Sequence, residues 1–217
     1  MKTFLSIGSG PGIGAATAER FAREGYRIVL SSRSTEKLAE RAGQLAAKGY
    51  QVETRAVDAG DLASVTALVR EVEAQFGAID VLHFNAASMR AATIEQQDAA
   101  TFVPDMTVNI GAALVAVQEA SRGMLARRSG TILLTGGGFA LAPSADYLSL
   151  SIGKAGIRAI AHALFAPFRD RNVHIGSVTV ATLVAAESKE AQGVADAFWN
   201  LHDASPENWV AEVGYPD

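Results

Sequence analysis

The sequence predicts an α/β fold: a doubly wound parallel sheet with helices on both faces, three layers deep (α/β/α), forming one domain over residues 1–217. Three observations predict it. Short apolar runs alternate with longer amphipathic stretches from one end to the other. The first apolar run leads directly into a glycine-rich turn that opens a helix. The chain has 217 residues, 49% of them hydrophobic, a size that one core serves well. Apolar strands alternating with helices imply parallel pairing, with both sheet faces covered and right-handed crossovers.

The elements follow in order. Thr3 to Ile7 reads as a buried strand, and Gly12 to Glu24 as a helix ended by Gly25. Arg27 to Ser32 is the second strand, followed by a helix from Thr35 to about Lys48. Further strands are expected at Gln51–Val57, Val81–Phe84, Thr131–Thr135 and Val173–Val180, with helices at Leu62–Phe76, Asn109–Ala126 and Ser149–Phe168. A late helix near Ala195–His202 and a strand near Trp209–Val213 close the chain. Pro104 interrupts or starts a helix, because it lacks a backbone donor. No linker, repeat or low-complexity segment divides the chain.

Bulk properties exclude several classes. The net charge is -4, with no block of like charges, which argues against nucleic acid as a partner. Cysteine is absent, and the scattered His162, His174 and His202 lack metal-ligand spacing, so no metal site is expected. The start is basic and then briefly apolar, but glycines break the run too early for a signal peptide. No apolar segment is expected to reach the roughly 18–20 residues that span a bilayer. These features read as a cytoplasmic protein with no membrane partner.

The glycine-rich turn carries Gly8, Ser9, Gly10, Pro11, Gly12, Ile13 and Gly14. A turn of this kind after a first strand suits a dinucleotide, and marks the sheet as Rossmann-type. One glycine makes the tight turn, one admits the pyrophosphate to the backbone, and one lets helix and strand pack closely. The helix start then offers free N–H groups and a positive dipole end to the phosphates. A methyltransferase would also use a glycine turn, but would carry an acidic residue at the end of the second strand. Here that strand ends at Ser31, Ser32 and Arg33.

The spacing of Gly8, Gly12 and Gly14, with Ile13 between the last two, resembles the short-chain dehydrogenase/reductase family. Asp80 to Ala87, with Asn85 and Ala86, resembles the family's fourth-strand segment. Asp58 stands where the family places an aspartate beside the adenine. Val108, Asn109 and Gly111 match the segment with the active-site asparagine, and Lys154 matches the active-site lysine. The resemblance covers about residues 3 to 215. It implies a nicotinamide cofactor, an unknown small-molecule substrate, and a homodimer or homotetramer built on the Ala-rich stretches Ile110–Ala120 and Ala155–Ala163.

The tip of the second strand bears on which cofactor. An acidic residue there would favour NAD(H); neutral Ser32 followed by Arg33 favours NADP(H), because a guanidinium grips the 2′-phosphate. Ser9, Ser32 and Ser34 offer further hydroxyl donors.

The departures concern the chemistry. The family places a tyrosine four residues before the lysine, on the same helical face, and a serine at the end of the fifth strand. Those positions fall on Leu150 and Gly137. A leucine donates no proton at any pH. Tyr147 is the nearest phenol along the chain, but on a regular helix it would sit about 10 Å along the axis from Lys154. His83 is expected to be packed rather than catalytic. The family's Pro-Gly after the sixth strand is also missing, leaving Thr182 placed to touch the carboxamide, and the substrate-covering segment is short. Three readings follow: an NADP(H)-binding member with a degenerate site, an active oxidoreductase whose proton comes from Tyr147 or the substrate, and a cofactor-sensing scaffold.

Overall fold

A computed structural model describes residues 1–216. Its seven strands are β1 (Thr3–Ile7), β2 (Arg27–Ser32), β3 (Val52–Ala56), β4 (Val81–Phe84), β5 (Thr131–Thr135), β6 (His174–Val180) and β7 (Glu212–Tyr215). They form one parallel sheet in the order β3-β2-β1-β4-β5-β6-β7. Leu5 of β1 pairs with Val29 on one side and Leu82 on the other. The chain therefore winds outward from β1 to β3, then returns across β1 to place β4. The point of reversal, at the C-terminal ends of β1 and β4, is where such sheets open a crevice for ligands.

The helices are α1 (Ile13–Arg23), α2 (Thr35–Ala47), α3 (Leu62–Phe76), α4 (Ala99–Met106), α5 (Ala112–Arg127), α6 (Leu148–Arg169) and α7 (Lys189–Asp203). The four central strands are buried along their whole length, so their apolar side chains feed cores on both faces. One core joins Leu5, Val29, Leu82 and Ile132 to α3, α5 and α6. The other joins Phe4, Ile28, Val81 and Leu133 to α1, α2 and α7, with Phe4 stacked on Phe21 at 4.4 Å. The three-layer expectation holds.

Several boundaries differ from the sequence reading. Helix α4 is an addition, capped by Asp98, whose side chain accepts from the Ala100 N–H at 2.8 Å. Pro104 lies inside it, and a widened turn over Thr107–Gly111 joins α4 to α5. Helix α7 starts at Lys189, because the Ser188 hydroxyl caps it by accepting from Ala191 N–H at 3.1 Å. Trp209 is not part of the last strand; it stacks on His174 at 4.8 Å, and β7 begins only at Glu212.

The joined helical run Ala99–Arg127 also corrects the expectation of no long apolar segment. It is 29 residues long with a hydropathy of 1.5, long and apolar enough to cross a membrane by length and composition. In the fold its Ala112, Ala113, Ala116, Ala120 and Met124 are buried in the core. Its Asp105 and Glu119 are buried in ion pairs with Arg90, Arg70 and Arg122.

Candidate active site

The glycine turn is built by close approach. Gly8 has φ +88°, and its N–H and that of Ser9 both donate to the Ser31 carbonyl at 3.0 Å. A Cβ on Gly8 would fall on the backbone of Ala86 and lie 2.7 Å from its Cα. A Cβ on Gly14 would sit 2.8 Å from the Gly8 carbonyl oxygen and 2.9 Å from Ser9 Cα. The Asn85 side-chain amide donates to that same Gly8 carbonyl at 2.8 Å, tying the β4 tip to the turn. Gly12 begins α1 with no side-chain cap and no acidic residue in the first turn, so the positive helix end is unopposed. The Ser9 hydroxyl faces inward: it donates to the Ser6 carbonyl and accepts from Ser31 N–H.

At the next strand tip, Ser32 donates to the Ser34 carbonyl at 3.3 Å, and the Ser34 hydroxyl caps α2. The Ser32 donor is spent locally, whereas the Ser34 hydroxyl serves there as an acceptor from Lys37 N–H. Arg33 is exposed and, among the described residues, pairs with no carboxylate. Asp58 lies just beyond β3, also exposed, with Oδ1 accepting from Gly60 N–H at 2.8 Å.

The other end of the crevice carries Lys154. Its Nζ donates to the Thr135 carbonyl at the end of β5, 2.8 Å away. Burial pushes its pKa down to about 8. The lysine stem crosses Gly137, where an added Cβ would lie 3.2 Å from three of its carbons. Leu150, one helical turn before Lys154, is 4% exposed and packed in the protein. Asn109 lies in the widened turn against Gly153 of α6, accepts from Ser88 N–H at 2.6 Å and donates to the Ser88 carbonyl at 3.2 Å.

Tyr147 is not on a regular helix. It precedes α6 with φ -134° and ψ 49°, and its ring stacks on Phe139 at 5.6 Å. Its carbonyl still accepts the first helical bond, from Ser151 N–H at 2.9 Å, so the non-helical dihedrals re-aim its ring and leave its spacing to Lys154 along the axis nearly helical. Thr182 follows β6 on an exposed loop, beside Leu183, which is 91% exposed. His83 is fully buried, bridges Ser6 Oγ and Thr135 Oγ1, and has its pKa pushed down to about 3 by burial, so it stays neutral.

Sequence reasoning missed one cluster. Asp105, 2% exposed, gathers Ser88, Arg90 and Ser149 beside the crevice. No local pattern marks it: Asp105 is one acid in a mixed stretch from Phe102 to Ile110, and its partners lie 15 or more residues away.

Residues 2–193 match the family short chain dehydrogenase. The chain belongs to that family. An uncharacterized oxidoreductase of Staphylococcus saprophyticus is 30% identical over 181 residues, covering 82% of this chain and 76% of that protein. D-threitol dehydrogenase of Mycolicibacterium smegmatis is 27% identical, over 82% of this chain and 68% of its own. Among solved structures, a short-chain dehydrogenase from Rhodopseudomonas palustris superposes with a TM-score of 0.91 at 26% identity, covering 100% and 98% of the two chains. A metagenomic short-chain oxidoreductase in complex with NADP gives 0.91 at 24% identity, covering 98% and 95%. The short-chain dehydrogenase fold thus accounts for the whole described sheet. The cradle formed by Gly8, Gly14 and the start of α1 fits a nicotinamide dinucleotide.

Proposed function

We propose that this short-chain dehydrogenase binds NADP(H) in preference to NAD(H), and that its chemical end is degenerate. The phosphates would lie on the turn at Gly8, Gly12, Ile13 and Gly14, with Arg33 reaching the 2′-phosphate, Asp58 near the adenine, and Asn85 and Ala86 along the β4 tip. Lys154 would serve the nicotinamide ribose, and Thr182 the carboxamide. That a related metagenomic enzyme was solved with NADP supports the choice of cofactor.

One observation carries the degenerate reading: the side chain one turn before Lys154 is the buried Leu150, and the lysine stem fills the space beside Gly137. The bound nicotinamide would supply hydride-transfer chemistry. The chain's own residues orient it through Asn109 and Lys154, but set no acidic hydroxyl beside the lysine. Fluorescence titration with NADPH and NADH, followed by turnover assays on carbonyl panels, tests this. NADPH should bind tighter, with no consumption above background; robust turnover would overturn the degenerate reading.

A second reading keeps an active oxidoreductase with Tyr147 as proton donor. It is favoured by the non-helical dihedrals of Tyr147 at the start of α6, which re-aim its ring, and by the stacking of that ring on Phe139. Tyr147→Phe would then abolish turnover. In either case we place the protein in the cytoplasm as a single-domain homodimer or homotetramer. A scaffold that senses NADP(H) remains the third reading; it requires partner sets that change when NADPH is added to a pull-down.

A further inference from the structure

We propose that Asp105 is a positioning residue whose carboxylate clamps the loop after β4 to the start of α6, presetting the wall that receives the nicotinamide half of the cofactor. This rests on the NADP(H) reading above. The carboxylate comes from α4 and is almost fully buried. It accepts from Ser88 Oγ at 2.6 Å, from Arg90 Nε at 2.8 Å and Nη2 at 3.3 Å, and from Ser149 Oγ at 2.9 Å. Burial pushes its pKa up, but the bonds from Arg90, Ser88 and Ser149 outweigh that and hold it below the usual carboxylate value. The group is therefore an anion, with its donors supplied by two segments remote from α4 in sequence. Charge-assisted bonds of this kind are the strong ones, and fix geometry as well as energy.

Placement says what the clamp acts on. Ser88 and Arg90 lie on the loop that leaves the C-terminal end of β4, two to four residues past Ala86, whose backbone touches the Gly8 turn. Ser149 lies in the first turn of α6, between Tyr147 and Leu150 and five residues ahead of Lys154. The Ser88 backbone is gripped a second time, on both its N–H and its carbonyl, by Asn109. Asp105 and Asn109 are four residues apart and hold the same loop residue, one through its side chain and one through its backbone. In the sheet order, β4 and β5 stand on the opposite side of β1 from β2 and β3, where Arg33 and Asp58 sit. The clamp belongs to the half of the crevice with Lys154, away from the adenine half.

Asp105→Asn keeps the shape, removes the charge, and leaves Arg90 free to turn to solvent. Amide hydrogen exchange without cofactor should show residues 86–90 exchanging about tenfold faster, while β1 and β5 stay protected. NADPH should bind about tenfold more weakly, with reduced enhancement of its bound fluorescence. Adenosine 2′,5′-bisphosphate, which reaches only the adenine half, should bind within about twofold of wild type. A group that merely supported the fold would weaken both ligands together. Unchanged exchange at residues 86–90, or equal weakening of both ligands, overturns the proposal. If Asp105→Asn does not fold, Arg90→Gln gives the same readouts from the solvent side, with a smaller change in the same pattern. If wild-type protein binds neither ligand, the cofactor reading falls, and the exchange data alone judge the clamp.

Discussion

The two halves of the crevice are built in different ways. The adenine and phosphate half, around β1, β2 and α1, is made of backbone: the Ser31 carbonyl taking two amides, the Gly8 turn pressed on Ala86, and an uncapped helix start. The half proposed to receive the nicotinamide, around β4, β5 and α6, is made of side chains, and on the proposed reading Leu150 and Gly137 occupy its two proton-transfer positions. A backbone cradle is held in place by the whole fold, so single substitutions outside the glycines leave it standing. A side-chain site can be lost in two steps while the sheet beneath stays intact. On the proposed reading binding and chemistry are separable, and substitutions on each side should show it.

The largest effect is expected at Gly8. Gly8→Ala forces a side chain into left-handed backbone and onto Ala86, a combination that costs on the order of 3 kcal/mol. Denaturant melts should show the destabilisation, and NADPH titration should show no detectable binding. Wild-type affinity in a folded Gly8→Ala protein would mean that the turn is not the cradle. On the chemical side, the double variant Gly137→Ser, Leu150→Tyr returns a hydroxyl and a phenol to the lysine. Carbonyl reduction should rise about 100-fold over background, the lower range for a positioned acid. The gain is held to that range because Leu150 is buried, so a larger ring must displace its neighbours, and the Lys154 stem must yield at Gly137. No gain at all would mean that more than these two groups is missing.

What the sequence made legible follows the same division. The glycine turn, β1, β2, β4, β5 and α3 could be read to the residue, because buried strands and an N-capped, glycine-ended helix write their limits locally. Asn85 and Asn109 were found by resemblance and do bind backbone at the crevice. The internal bonds of the Ser9 hydroxyl were not legible, since only the fold brings the Ser6 carbonyl and Ser31 N–H to it. Asp105 was not legible for a related reason: its three partners lie 15 to 44 residues away, and no local pattern announces such a meeting. The start of α7 was missed because its first turn is polar, and the cap at Ser188 sets its beginning.

Arg33 sharpens the adenine side. It is exposed and pairs with no carboxylate among the described residues, so its removal should leave the fold unchanged. Arg33→Ala should weaken NADPH binding about tenfold and leave NADH binding nearly unchanged, because a charge-assisted phosphate contact is worth about 1.5–3 kcal/mol. Equal loss for both dinucleotides would show that the residue shapes the loop instead of reading the 2′-phosphate. Unchanged binding of both would return the NADP(H) preference to other groups.

The smallest effect, and the one that tests stability and binding together, is at Lys154. Burial holds its folded pKa at about 8, below the ordinary lysine value of 10.5, so between those limits the unfolded chain binds the extra proton. Stability therefore rises with pH from about 8 to 10.5, and below pH 8 the buried ammonium carries its full penalty. The shift sets a ceiling of about 3 kcal/mol. Partial exposure of the side chain, together with the donor lost at the Thr135 carbonyl, lowers the gain expected from Lys154→Met to about 1 kcal/mol at pH 7. That gain should shrink toward zero as the pH approaches 10.5. NADPH affinity should move the other way, falling a few-fold, because the ribose loses its cation. A more stable protein that holds NADPH less tightly is what a lysine retained for cofactor binding produces. A variant that loses stability at pH 7 would instead make Lys154 a structural residue tied to Thr135.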